Sequence, residues 1–212
     1  MPLNVLISGE NFPILYGLQA LVRLVLGNDT IIEIVRSAPE ILKKLRESQH
    51  QILISEIIIK GLDGFTIITK ALSINPNLKI LIVNFSPSTI IANKCIKAGA
   101  LGYINTSENE EEFRNAIRKV YMGKVYLPKD LDEKENTSAH SPTTLNDNPF
   151  DQLSNREFTV LMLLMNGKGT KEISTQLNLK LSTTSTFKKR IFKKLNVNNI
   201  IDLVKLVRHF KI

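Results

Sequence analysis

A chain of 212 residues is long enough for one large domain or two small ones, each with its own core. Its hydrophobic content of 43% and charged content of 23% are ordinary for a globular protein, and no apolar run is long enough for a membrane span. The amino terminus lacks the pattern of a secretory signal, which predicts a cytoplasmic location. One cysteine and three scattered histidines argue against a disulfide framework or a metal cluster, so we expect neither metal nor cofactor.

The net charge of +8 is confined to the last third of the chain. Residues 1–149 contain 16 basic and 16 acidic residues, whereas residues 150–212 contain 12 basic and 4 acidic ones. A basic block on a folded segment is typical of proteins that bind a polyanion, most often nucleic acid. By itself the charge is explained equally well by a basic solvated surface.

Short apolar runs alternate with amphipathic segments through the first 126 residues. The predicted strands are 3–8, 30–36, 51–56, 79–85 and 101–105, and the predicted helices lie near 12–26, 38–48, 64–75, 87–98 and 108–122. Five apolar strands, each followed by a helix, predict a doubly wound α/β domain with a five-stranded parallel sheet. A ligand site of such a domain lies at the carboxyl ends of the strands. The residues expected there are Gly9, Glu10, Glu56, Asn84 and Thr106.

The composition then changes, and it divides the chain into three parts. Residues 127–150 are rich in Asp, Asn, Ser, Thr and Pro, which predicts a flexible linker. Residues 151–212 predict an all-α domain of four helices, and the first helix opens with the capping-box pattern of Ser154 and Glu157. Two short helices, joined by a brief turn and with a densely basic second member, predict a helix-turn-helix.

The third of these helices, predicted over 182–195, has two distinct faces. Thr184, Phe187, Ile191 and Leu195 fall at spacings of three and four and form the inward stripe. The remaining face and its flanks carry hydroxyl and basic side chains, namely Ser182, Ser185, Thr186, Lys188, Lys189, Arg190, Lys193 and Lys194. Hydroxyl groups near the amino end suit base edges in the major groove, and the basic groups suit phosphates. The alternative is a charged helix face that contacts only solvent.

With these motifs the chain resembles bacterial response regulators of the NarL/FixJ subfamily, and within it the regulators of the BvgA and FimZ type. "LSNREFTVLMLLMNGKGTKEISTQLNL" and the basic helix resemble the LuxR-type DNA-binding signature, and "GLDGF" and "KAGALGYI" resemble a receiver. The resemblance implies a receiver whose phosphorylation controls promoter binding by a dimer. It places DNA contacts at Ser185, Thr186 and Lys189, and backbone contacts at Lys171 and Lys193. Where the family usually has a capping serine this chain has Lys180, so Ser182 is expected to cap the helix instead.

At the receiver site this chain has different residues from those usual in the family. The acidic pair reads Gly9–Glu10, the acceptor aspartate is Glu56, and the Thr/Ser and Lys positions are Asn84 and Thr106; only the aromatic Tyr103 is as expected. Phosphoryl transfer needs Mg²⁺ and a second, neutralising cation. This chain lacks one of the metal-binding carboxylates, at Gly9, and the lysine, at Thr106. We therefore predict a pseudo-receiver without catalytic residues. Glu56 is interpreted as a phosphate mimic that accepts a hydrogen bond from the Asn84 amide. The alternative is a relic, with activity set by protein concentration.

Three other functions remain open at this point. A flavin- or nucleotide-binding enzyme is disfavoured because the loop at 8–13 has one glycine and no phosphate-binding fingerprint. A co-regulator or antagonist would heterodimerise through the helices near 12–26 and 108–122, but it has no need of six basic residues between 180 and 194. A phosphorylation-controlled regulator is the third. The favoured prediction is a transcription regulator that binds double-stranded DNA, as a homodimer or in a heterodimer with another regulator.

Overall fold

The computed structural model describes residues 2–85, 87–128 and 148–210. In chain order its strands are β1 Asn4–Ser8, β2 Ile31–Val35, β3 Ile52–Glu56, β4 Ile58–Ile59, β5 Leu62–Asp63, β6 Lys79–Asn84 and β7 Gly102–Asn105. The main sheet is parallel with the order β2-β1-β3-β6-β7, which confirms the predicted five-stranded doubly wound domain. The order reverses between β1 and β3, so the carboxyl ends of these two strands and of β6 form the edge where a ligand site is expected.

Five helices cover the two faces of this sheet. They are α1 Phe12–Leu26, α2 Ala38–Glu47, α3 Gly64–Ile74, α4 Thr89–Lys97 and α5 Glu110–Tyr121. Helices α1 and α5 share one apolar cluster with the sheet, while α2, α3 and α4 belong to the other. Each helix ends within two residues of its predicted boundaries, because the apolar periodicity that buries one face is a local property of the sequence.

A two-stranded hairpin, formed by β4 and β5, lies between β3 and α3 and was not predicted. Ile58 pairs with Asp63 and Ile59 with Leu62, so Lys60 and Gly61 form the turn. Gly61 has φ of 102°, a conformation that a residue with a Cβ adopts only at a cost. Because the hairpin is short and apolar, its sequence pattern alone does not distinguish it from a buried loop.

The second domain consists of a 3-10 turn, Pro149–Gln152, and four helices. These are α6 Asn155–Met165, α7 Thr170–Gln176, α8 Leu181–Lys194 and α9 Ile200–His209. The capping box is confirmed, since Glu157 N donates to Ser154 Oγ at 3.2 Å and Ser154 N donates to Glu157 Oε2 at 2.8 Å. No helix of the described residues is long and apolar enough to cross a membrane.

The two domains pack against each other through a continuous apolar cluster. The rings of Phe65 on α3 and Phe158 on α6 lie 6.1 Å apart, and Lys94 Nζ lies 5.2 Å from the centre of the Phe158 ring. Of the predicted linker, residues 129–147 lie outside the described residues. Its last residue, Phe150, is buried and packs edge-on against Phe210, with the ring centres 5.6 Å apart. The division at residues 126 and 150 stays a prediction.

Candidate functional sites at the sheet edge and on the helix-turn-helix

Glu56 ends β3 and is 4% exposed. Its Oε2 accepts a hydrogen bond from the backbone N–H of Glu10 at 3.2 Å, whereas its buried Oε1 has no hydrogen-bond partner among the described residues. The carboxyl group therefore lies beside the start of α1, whose N-cap Asn11 supplies no side-chain cap of its own. The hydrogen bond comes from Glu10, which precedes the N-cap residue, so Glu56 is held by the loop that leads into α1.

Burial raises the pKa of Glu56, the N–H groups of Glu10 and Asn11 oppose that shift, and the negative charge of Glu10 adds to it. A folded-state pKa above the unfolded value stabilises the protein at low pH, and this stabilisation is lost as the pH rises through the folded value. We therefore expect Glu56→Gln to raise the free energy of unfolding at neutral pH, by roughly 1 kcal/mol. The gain should vanish below the ordinary glutamate pKa of 4.5. Urea unfolding across this range is the measurement, and a constant difference at every pH would contradict it.

The side chain of Glu56 occupies space that is free only because residue 9 is glycine. A Cβ added at Gly9 would lie 2.5 Å from Oε1 and 2.7 Å from Cδ of Glu56. Any side chain at position 9 would therefore overlap the carboxyl group where it now lies. The side chain of Glu56 therefore fills the volume in which the Cβ of an acidic residue at position 9 would lie.

Asn84, Tyr103 and Thr106 form a second polar group at this edge. Asn84 Nδ2 donates to Tyr103 Oη at 2.9 Å, and Thr106 N donates to Asn84 O at 2.8 Å. Tyr103 is fully buried, and burial raises its pKa to about 12. The predicted hydrogen bond from the Asn84 amide to Glu56 is wrong for the described residues, because Glu56 turns toward Gly9 and the start of α1.

The metal-binding capacity of this edge is small. The described residues contain no group of three or more His, Cys, Asp and Glu placed to hold a metal ion. Besides Glu56 at the end of β3, this edge has the acidic residue Glu10, which follows β1 and is exposed.

Helix α8 begins at Leu181, one residue earlier than predicted. Its N-cap is Lys180, which has φ of −70° and ψ of 145° and whose carbonyl accepts from Thr184 N at 3.1 Å. The expectation that Ser182 caps the helix is wrong, since Ser182 lies inside the first turn. Its carbonyl accepts from Thr186 Oγ1 at 2.9 Å. An ammonium group has no lone pair, so α8 starts without a side-chain cap.

The two predicted faces of α8 are present. Thr184, Ile191 and Leu195 are buried, with Phe187 half-buried beside them. Five residues of α8 that were predicted to face DNA are exposed and, unlike Lys194, form no ion pair among the described residues. They are Ser182, Thr186, Lys189, Arg190 and Lys193. Ser185 and Lys188 are half-buried, and Lys188 Nζ lies 5.5 Å from the centre of the Phe192 ring.

Lys194 is exposed, but its ammonium group is paired within its own domain. Its Nζ lies 2.7 Å from Glu157 Oε2 and donates to Gln152 O at 2.9 Å. Burial would raise the pKa of Glu157, but Lys194 and the capping bonds of Ser154 lower it overall. Lys194 therefore joins α8 to the start of α6, and its charge is partly neutralised by Glu157.

Lys171, predicted to contact the DNA backbone, lies at the boundary between the domains. It lines a surface cleft together with Lys168 of the second domain and with Glu10 and Lys60 of the first. Helix α7 is held there by Gly61 N, which donates to Gln176 O at 2.8 Å. The surface around Lys171 thus faces the first domain in this arrangement.

An ion pair that sequence reasoning missed connects the two domains. Arg156 Nη1 lies 2.7 Å from Oδ2 of Asp63, which is 0% exposed, and Arg156 Nη2 donates to Leu177 O at 3.0 Å. Asp63 also caps α3 by accepting from Thr66 N at 2.8 Å. The two charged residues are 93 positions apart, so no local pattern could have paired them.

Two family models match the chain. The response regulator receiver domain matches residues 6–118, more than half of the chain, and the bacterial regulatory proteins of the luxR family match residues 151–207. The protein therefore belongs to the response regulators that carry a luxR-type DNA-binding helix-turn-helix. These are transcription regulators, so the protein is not an enzyme.

Curated relatives agree with this assignment. The putative positive transcription regulator of virulence factors BvgA from Bordetella pertussis is 33% identical over 169 residues, which are 79% of each chain. Fimbriae Z protein from Salmonella typhimurium is 30% identical over 206 residues, 96% of this chain and 95% of that one.

Solved structures share the fold. RcsB from Salmonella typhimurium has a TM-score of 0.76 at 20% identity, covering 100% of this chain and 99% of its own. RcsB bound to the promoter P1flhDC in the presence of BeF3- has a TM-score of 0.70 at 20% identity, covering 99% of this chain and 100% of its own.

Proposed function

We propose that this response regulator binds promoter DNA as a dimer and that its receiver does not take up phosphate. The observation that carries the second part is the fit of Glu56 over Gly9, with a distance of 2.5 Å from Oε1 to an added Cβ. Glu56 occupies the space of a metal-binding carboxylate, and its own oxygen is bound to a backbone N–H. We further propose a receiver over 1–126, a linker over 127–150 and a DNA-binding domain over 151–212.

The residues around Glu56 do not fit Mg²⁺. That ion requires nearly ideal octahedral geometry with carboxylate oxygens at about 2.0–2.1 Å. Gly9 brings no oxygen ligand from its side chain, and Glu10 is exposed. Thr106 stands where a lysine would neutralise the transferring group, and its backbone N–H already donates to Asn84 O. Without these two cations the charge developed in phosphoryl transfer has no compensation.

The basic face of α8 supports the DNA-binding part. Lys189, Arg190 and Lys193 are exposed on a helix without acidic residues, and Thr186 lies one turn closer to its start. Such a face suits phosphates around a major groove, with the hydroxyl groups near the bases. Structures of RcsB bound to promoter DNA, and of two RcsB dimers bound to two parallel DNAs, support the same use of this fold.

Exposed apolar residues on α1 support dimerisation. Phe12, Tyr16 and Leu24 are half or more exposed, and the rings of Phe12 and Tyr16 lie 4.4 Å apart. Apolar side chains grouped on one exposed helix favour a protein contact. A partner regulator could use this surface as well as a second copy of the chain, which keeps a co-regulator as the second candidate.

Incubation with acetyl phosphate and Mg²⁺ is expected to leave the intact mass of the protein unchanged. The reason is that Glu56 is bound at the start of α1 and that neither cation source remains. A response regulator with the complete acidic pair, acceptor aspartate and lysine serves as the positive control under identical conditions. A phosphorylated species, together with tighter DNA binding, would support a phosphorylation-controlled regulator instead.

Lys189→Ala and Lys194→Ala are expected to differ in DNA binding although they remove the same charge. Lys189 is exposed, whereas Lys194 is paired with Glu157 at 2.7 Å. Loss of Lys189 should reduce the slope of log K against log salt concentration by about 0.9, and loss of Lys194 should leave the slope nearly unchanged. Fluorescence anisotropy with promoter fragments from the source genome measures both. A slope for Lys189→Ala equal to that of the wild type would show that α8 does not contact DNA through this face.

A further inference from the structure

A cavity of about 110 Å³ lies between the two domains, beyond the carboxyl end of β3. Most of its wall is apolar and comes from both domains, with Phe85, Ile91, Leu161, Met162, Met165 and Val207 contributing. Protein interiors rarely leave voids larger than a water molecule. A gap of this size beside the close contact of Phe65 with Phe158 is therefore a feature that needs an occupant or a reason to stay open.

The polar residues in this wall have their polar groups engaged elsewhere. Glu56 lines the cavity, but its Oε2 is bound by Glu10 N and its Oε1 lies against Gly9, which is not part of the wall. The side-chain amide of Asn84 donates to a tyrosine hydroxyl at 2.9 Å. No basic residue lines the cavity among those that the structure describes. The wall therefore offers a ligand apolar contact and no counter-charge.

We propose that this cavity binds a small neutral apolar molecule, such as a compound with a single aromatic ring. An apolar cavity of about 150 Å³ stays dry and takes up benzene, so the present volume suits one ring. Two methionines in the wall are flexible and polarizable, which lets the wall fit an aromatic ring closely. A charged molecule of the same size loses its hydration and meets no opposite charge, so it is excluded.

A ligand at this place connects the two domains. Phe85, which is 51% exposed, and the exposed Asn166 belong to the wall, so one side of the cavity lies near solvent and admits a small molecule. Because the wall includes α6 and α9 as well as α4, the cavity exists only while the domains are docked. Occupancy therefore stabilises the docked arrangement. This goes beyond the proposed function, and its test in the absence of DNA leaves the DNA-binding proposal untouched.

Toluene and benzylamine provide a matched pair of probes, because they share the ring and differ in the ammonium group. In the full-length protein labelled with ¹³C at the methionine methyl groups, toluene is expected to shift the signals of Met162 and Met165 in a saturable way. The exposed Met122 is the internal control, since it lies outside the cavity. Toluene should bind more tightly than benzylamine by about tenfold or more, because only benzylamine brings a charge into the apolar wall.

Three variants locate the binding and its link to docking. Val207→Phe fills the cavity and should abolish the toluene shifts, whereas Ile201→Phe, at a position of the same helix that is 64% exposed, should leave them unchanged. Arg156→Ala, outside the cavity, should weaken toluene binding by loosening the docking.

Four results would overturn the proposal. They are an absence of shifts at the two cavity methionines, an equal shift at Met122, equal binding of toluene and benzylamine, and undiminished toluene binding in a folded Val207→Phe protein. Undiminished binding in Arg156→Ala would overturn the link to docking. If Val207→Phe does not fold, the comparison of the two probes on the wild-type protein decides alone.

Discussion

Replacing Arg156 by alanine is expected to lower the free energy of unfolding by about 3 kcal/mol. The variant leaves the carboxylate of Asp63, which is 0% exposed, without the guanidinium group 2.7 Å away. Breaking a buried pair by removing one partner typically costs about 3–5 kcal/mol, and the bonds from Thr66 to Asp63 place this case at the lower end. Urea unfolding monitored by circular dichroism measures the change.

Arg114→Ala is the matched control for this variant. Arg114 forms a pair with Glu110 at 3.6 Å on the surface of α5, with both side chains well exposed. Exposed pairs of this kind contribute roughly 0.3–0.5 kcal/mol. Equal losses for the two arginine variants would show that the interdomain pair is not buried in solution.

Arg156→Ala should also change DNA binding. Docking places Lys171 in a cleft beside Glu10 and Lys60, where the first domain limits its access to a phosphate backbone. Lys171 is already exposed, but loosening the docking moves the first domain away from it, so Arg156→Ala is expected to bind promoter fragments more tightly than the wild type. An unchanged affinity would mean that the docked arrangement already presents the complete DNA-binding surface.

Gly9→Ala is expected to lower the free energy of unfolding by about 2 kcal/mol. The added Cβ lies 2.5 Å from Glu56 Oε1 and 3.1 Å from its Cγ, so the side chain must leave its place. Moving it breaks the hydrogen bond from Glu10 N and leaves a buried carboxyl group without a partner, which costs about 1–3 kcal/mol. Urea unfolding again provides the measurement.

Two further variants test whether Glu56 is the cause of that loss. In a Glu56→Ser background Gly9→Ala should cost little, which gives a coupling of about 1–2 kcal/mol in a double-mutant cycle. Gly17→Ala on α1 is the control, because its added Cβ meets nothing within 4 Å and should stabilise the helix by up to about 1 kcal/mol. Additive effects at positions 9 and 56 would contradict the steric dependence.

Much of the fold was predictable because its signals are local. The strands lie within one residue of their predicted ends, since runs of apolar residues specify a strand that is buried on both faces. The inward stripe of α8 was predicted for a similar reason, because helical spacing alone separates Thr184 and Ile191 from the exposed lysines. The start of α8 was misjudged, because the backbone of Lys180 can begin a helix without a side-chain cap.

Functional contacts between distant residues were not predictable in this way. Lys194 has the same charge and nearly the same position along α8 as Lys193, yet it pairs with Glu157 because the first turn of α6 lies beside it. The Asn84 amide reaches Tyr103 Oη instead of Glu56, since Glu56 turns toward Gly9. Both outcomes depend on which helix or strand end lies opposite.

The sequence by itself determined the sheet, the basic helix and the substitutions at positions 9, 56, 84 and 106, because periodicity, charge and residue identity are properties of the chain. Only the tertiary structure decided that Gly9 provides the space for Glu56 and that Arg156 joins Asp63 across the domains. It also decided that a cavity separates Glu56 from α6. The physical reason is that close packing and burial depend on distances between segments far apart in the sequence, which no local pattern contains.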